Sequence, residues 1–211
     1  MTTAAAVFLV LAMVMAVADW VAVARERAVL EYVSKPAATA ALLATAVTMD
    51  VTHGAPWGWR VAALVFCILG DVFLMLPKDS FVPGLASFAV AQILFTVSFV
   101  SAGVDGGRAI VAILVAAVVA ALLVRRFVGA MRTAGHDELV VPVLVYVVVI
   151  SAMAVAAVAS GSVLASVGAV VFMASDSLIA ESRFVRARKW HPVGIMVTYH
   201  AALAGLVLSL S

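Results

Sequence analysis

Three carboxylates stand where carboxylates are costly. Asp19, Asp71 and Asp176 each interrupt a long run of Ala, Val, Leu and Phe. An ionisable side chain in such a run costs about 2.5–3.5 kcal/mol on membrane-insertion scales and ordinarily faces a cavity or a partner. Two acids close together in a low dielectric cannot easily both ionise, so one keeps its proton near neutrality. That division suits general acid–base work, in which one acid gives a proton while the other steadies positive charge and orients water. Asp71 follows Gly70, and Asp176 is flanked by Ser175 and Ser177. Small neighbours of this kind let helices approach closely in lipid, so the site they imply is narrow and poorly hydrated. Asp19, beside Trp20 and nearer an interface, reads equally well as a structural or snorkelling acid.

Other chemistries find little support. There is no G-x-S-x-G and therefore no visible nucleophile elbow. The four histidines, His53, His136, His191 and His200, are scattered without an HExxH, so no zinc site and no cofactor is expected. Cys67 is the sole cysteine, which rules out a CxxC site or an internal disulfide. Lys35, Gln92, Tyr146, Ser175, Tyr199 and His200 are the further polar groups at comparable depth, and they are the candidate substrate contacts. Lys35 reads either as a ligand or as an interfacial anchor opening the second helix, and the two tyrosines also fit ordinary packing roles.

The elements that must position these groups follow from bulk composition. Of 211 residues, 66% are hydrophobic and 11% charged, with a mean hydropathy of +1.24. A soluble domain is nearer 45–50% apolar and about 25% charged. The expectation is an all-α polytopic membrane bundle forming a single integral-membrane domain over residues 1–211, with no room for a soluble catalytic domain. The net charge of +2 argues against a large nucleic-acid surface. Continuous Ala/Leu/Val-rich runs predict eight spans at about 4–24, 36–52, 59–76, 82–102, 109–124, 139–159, 162–180 and 192–210. The first reads as a retained helix, because no basic residue precedes Arg25.

Positive charge orients the bundle. Eleven of the thirteen Lys and Arg fall in the loops after spans one, three, five and seven, among them Arg25, Lys78, Arg125 and Arg183. Only Arg60 and Arg108 fall on the opposite side. The positive-inside rule then places both termini outside and the odd-numbered loops in the cytosol. Asp19, Asp71 and Asp176 precede Arg25, Lys78 and Arg183 by six or seven residues, so each lies roughly 10 Å beneath the basic rim. Tyr146, Tyr199 and His200 approach the same depth from helices running the other way, and Gln92 lies a little deeper. A polar pocket open to the cytosolic leaflet is expected.

The run Gly70-Asp71-Val72-Phe73-Leu74-Met75-Leu76, followed by Phe81-Val82-Pro83-Gly84-Leu85-Ala86-Ser87-Phe88, resembles the YhhN-type lysoplasmalogenase family. So do Gly168-Ala169-Val170-Val171-Phe172-Met173-Ala174-Ser175-Asp176-Ser177-Leu178-Ile179-Ala180, ending in Arg183-Phe184, and the pair Lys35-Pro36. The resemblance implies an eight-helix multi-pass protein of the cell membrane, the cytoplasmic membrane in a bacterium. It also implies hydrolysis of the vinyl ether bond of a lysophospholipid substrate, giving a fatty aldehyde and glycerophospho-ethanolamine or -choline. Asp71 and Asp176 would be catalytic, and Lys35, with Arg25 or Arg183, would meet the phosphate. The chain departs from the family pattern at Gln92 and Phe95, where His and Tyr are frequent, and at Leu203, where Gln is frequent. These departures bear on substrate choice.

A vinyl ether is hydrolysed by protonating its outer alkene carbon, trapping the oxocarbenium ion with water, and letting the hemiacetal collapse. Two acids suffice. The rival readings are a small proton-coupled carrier, using the same acids as a relay, and a non-catalytic lipid-binding membrane protein. Oligomeric state leaves no mark on the sequence.

Overall fold

A computed structural model describes residues 1–76 and 80–210, so the predicted anchor Lys78 lies outside the described residues. They form eight long helices and no strand. The helices are α1 (Thr3–Ala24), α2 (Ala28–Thr48), α3 (Ala55–Met75), α4 (Phe81–Ala102), α5 (Gly106–Thr133), α6 (Val140–Ala159), α7 (Val163–Ala180) and α8 (His191–Leu208). A 3₁₀ turn, Asp137–Leu139, leads into α6, and a π-helical turn, Glu181–Val185, continues α7. Helix starts carry the expected signals. Thr2, Asp105 and Ser162 each accept a hydrogen bond from a backbone N–H three residues on, and Pro56 and Pro192 occupy first turns.

Seven of these helices are long and apolar enough to cross a membrane; α2 is of similar length but is less apolar. The predicted span at 36–52 needs correction at both ends. Pro36 reads as a helix start in sequence, yet α2 begins at Ala28 and carries Pro36 in its interior, one rung of its backbone ladder being lost for want of an N–H. Lys35 therefore does not open the helix. It sits in the second turn of α2 with its side chain buried. In α5 the helix runs nine residues past the expected end at 124, because Phe127 and Met131 bury an apolar stripe against α6 and the π turn. Arg126 on that extension grips Glu181 bidentately at 2.6 Å.

Neighbour packing closes a ring: α1 on α2, α2 on α3, α3 on α4, α4 on α6, α6 on α7, α7 on α8, and α8 back on α1 and α2. Helix α5 stands outside the ring against α6 and the π turn, with one face apolar and exposed. Two glycines set the closest approaches. A Cβ on Gly70 would lie 2.6 Å from the Phe88 ring, and one on Gly168 would lie 3.0 Å from the Ala202 carbonyl. Both positions need the missing side chain for α3 to meet α4 and for α7 to meet α8.

Candidate active site

Helix α3 buries Arg60, Ala63, Leu64, Cys67, Gly70 and Asp71, a stripe at three- and four-residue spacing that turns Asp71 into the ring. Lys35 and Thr39, one helical turn apart on α2, reach it from one side, and Tyr199 of α8 from the other. Asp71 Oδ2 accepts from the Thr39 hydroxyl at 2.7 Å and from the Tyr199 hydroxyl at 2.9 Å. The Lys35 ammonium stands 3.6 Å from Oδ1, and Asp71 is fully shielded from solvent. Two charge-assisted hydrogen bonds and an ion pair hold this carboxylate in place.

Asp176 has a different environment. Its Oδ2 accepts from the Tyr146 hydroxyl at 2.5 Å, and the side chain is only partly buried. Gln92, fully buried on α4, lies beside that phenol, with neither amide atom in a well-formed hydrogen bond. The two carboxylates share no hydrogen bond; each has its own tyrosine. Both lie within electrostatic reach of the buried Cys67 thiol and of the Lys35 ammonium.

Aromatic rings brace the arrangement. Phe88, Phe172 and Tyr199 meet edge to face in a triangle with centroids 5.6–6.2 Å apart. Phe172 is one turn before Asp176 on α7, so the triangle couples the position of Tyr199 to that of the second acid. His200 packs against Tyr199, and its Nδ1 accepts from the Trp20 indole at 3.1 Å. Ser175 donates to the Ile195 carbonyl at 3.1 Å and thereby ties α7 to α8. Asp19 is fully buried and accepts from Ser34, joining α1 to α2 and not snorkelling to an interface.

Two hollows open on these groups. A narrow apolar cavity of about 60 Å³ runs between α4, α5, α6 and α7, with Phe88, Val143, Tyr146, Ile150 and Asp176 among its walls. A rim pocket of about 380 Å³ is bordered by Glu31, Lys35, Arg183, Pro192 and Met196. Leu74, Phe81 and Ile179 belong to both walls. Phe81 also borders a third hollow beside His136 and Glu138. The Arg183 guanidinium lies over the Phe81 ring at 4.3 Å. Asp176 thus faces the apolar cavity, whereas Asp71 is not part of either wall and adjoins the rim pocket only through Lys35.

Sequence reasoning missed Thr39, Cys67 and the Phe88–Phe172 pair. The signal for Thr39 was present, since it stands four residues after Lys35 and must share its helix face. Cys67 is likewise one turn before Asp71. Nothing marks Phe88 or Phe172 out from other core phenylalanines.

Comparison with known proteins places this geometry in context. The chain is 34% identical over 180 residues to proteins of Mycobacterium bovis and Mycobacterium tuberculosis, each named lysoplasmalogenase, covering 80% of this chain and 67% of theirs. It is 31% identical over 147 residues to a Homo sapiens protein named lysoplasmalogenase TMEM86B, covering 70% of this chain and 61% of that one. No solved structure matches it. The model of the YhhN family matches residues 30–210, a stretch that holds Lys35, Thr39, Asp71, Tyr146, Asp176 and Tyr199 together, and the chain belongs to that family.

Proposed function

We propose that this protein hydrolyses the vinyl ether bond of lysoplasmalogens, releasing a fatty aldehyde and a glycerophospho-ethanolamine or -choline. The observation that carries the reading is the unequal placement of the two acids. Asp176 and its tyrosine line a narrow apolar cavity that an alkenyl chain would have to widen on entry, and Asp71, outside that wall, is paired with an ammonium. The curated relatives bear the corresponding name.

In this reading the alkenyl chain occupies the apolar cavity and the phosphate meets Lys35 and Arg183 in the rim pocket. Asp176 is the general acid. Its proton goes to the outer alkene carbon, and the electron pair of the double bond forms the new C–H bond. The resulting oxocarbenium ion lies in the field of the Asp176 carboxylate just formed and of Asp71. Water adds to the cationic carbon and returns a proton to Asp176, which restores the enzyme. The hemiacetal then breaks its bond to the glycerol oxygen, which takes up the proton given up by the hemiacetal hydroxyl as the aldehyde forms. Tyr146 orients the acid, and Asp71 holds Lys35 and Tyr199 in register.

The same reading makes α2 an eighth crossing, puts both termini opposite the basic loops, and has the protein act in the cell membrane from its cytosolic leaflet. The test is to offer the purified protein a vinyl-ether lysolipid beside its saturated-ether and ester analogues. Aldehyde from the first alone is the expected result, and cleavage of the ester alone would sink the mechanism.

A further inference from the structure

The rim pocket carries both signs of charge. Glu31 and Lys35 sit one helical turn apart on α2, and Arg183 faces them from the π turn. Their side chains are neighbours on one helix face, with Cβ atoms about 5–6 Å apart. An ion pair between them would be ordinary, but Lys35 is drawn inward to Asp71 instead. Glu31 forms no salt bridge among the described residues and remains only partly buried at the pocket wall. The pocket therefore sets the Arg183 guanidinium and the mostly buried Lys35, already paired with Asp71, beside a carboxylate that forms no salt bridge, a short step along the same helix.

From this layout we infer that Glu31 is the headgroup-selecting residue, holding the ammonium of a zwitterionic lysolipid while Lys35 and Arg183 hold its phosphate. This rests on the rim pocket being the headgroup site of the proposed hydrolase. An ammonium borne two carbons and one oxygen from a phosphate matches a carboxylate one turn from a lysine. A lipid ending in a bare phosphate meets the same carboxylate as a repulsive neighbour. Glu31 thus selects twice, by attracting the amine and by opposing the additional anionic charge.

The test compares two vinyl-ether lysolipids of identical chain, one with a phosphoethanolamine headgroup and one with a terminal phosphate. The readout is the ratio of their kcat/KM values for aldehyde release, with Glu31→Gln and Glu31→Lys beside the wild-type protein. The wild type favours phosphoethanolamine. Glu31→Gln lowers the ratio about tenfold, the loss of one charge-assisted contact, and Glu31→Lys inverts it. Binding of the saturated analogues, followed by calorimetry, gives the same ratio without chemistry. A binding preference that Glu31→Gln erases sustains the inference even if no vinyl ether is cleaved, which would instead defeat the proposed hydrolase. An unchanged ratio in both variants overturns the role of Glu31 and leaves the hydrolase standing.

Discussion

The Lys35 ammonium and the Asp71 carboxylate face each other at 3.6 Å with almost no access to solvent. Neither partner can be spared singly. Lys35→Met leaves a buried carboxylate without its counter-charge, and Asp71→Asn leaves a buried ammonium in the same condition. Each should destabilise the protein by about 3–5 kcal/mol. The double variant should recover part of that loss, with a coupling of roughly 0.5–3 kcal/mol. Thermal unfolding in detergent of the four proteins in the cycle checks this, and strictly additive losses would show that the pair does not interact.

Asp176→Asn should behave otherwise. It removes the proposed acid while keeping the shape and the acceptor that Tyr146 uses, so folding should change little. Aldehyde release should fall by about 10²–10⁴-fold, the usual worth of a positioned acid. Tyr146→Phe, which frees the carboxyl to turn, should cost less. Retained activity in Asp176→Asn, assayed on a protein with wild-type unfolding, would exclude this side chain as the proton donor.

Cavity volume should set chain length. Val143 lines the same apolar hollow as Asp176, and Val143→Phe reduces the room for a hydrocarbon tail. Each methylene that no longer fits should lower kcat/KM by about fourfold, from roughly 0.8 kcal/mol of burial. Profiles over a series of chain lengths should shift to shorter substrates, with the rate on the shortest nearly preserved.

Gly70→Ala should strain the contact between α3 and α4, since the new Cβ would enter the Phe88 ring. A loss of about 1–3 kcal/mol is expected. Adding Phe88→Leu should restore part of the stability, because it clears the space. Should Gly70→Ala melt at the wild-type temperature, the ring is free to move and the approach is looser than described.

The acids were readable in the sequence because a charge in an apolar run is conspicuous whatever surrounds it. The helices were readable for the same reason, and α1, α4 and α7 lie within a residue or two of their expected bounds. Errors arose where a local signal met a tertiary one. Pro36 punctuates a helix in isolation, but here α2 packs on both sides of it. Arg125 marks a membrane edge, but the helix continues because Phe127 and Met131 find a partner. Pairing of each carboxylate with its own tyrosine could not be foreseen. It depends on which helices are neighbours, and 128 residues separate Asp71 from Tyr199.

Phe81 forms part of all three hollows at the basic end. One benzyl group is consequently a common partition between them. In the proposed reading, admission of a polar head and threading of an oily tail would then be mechanically interdependent events, with the Arg183 guanidinium resting on the shared ring.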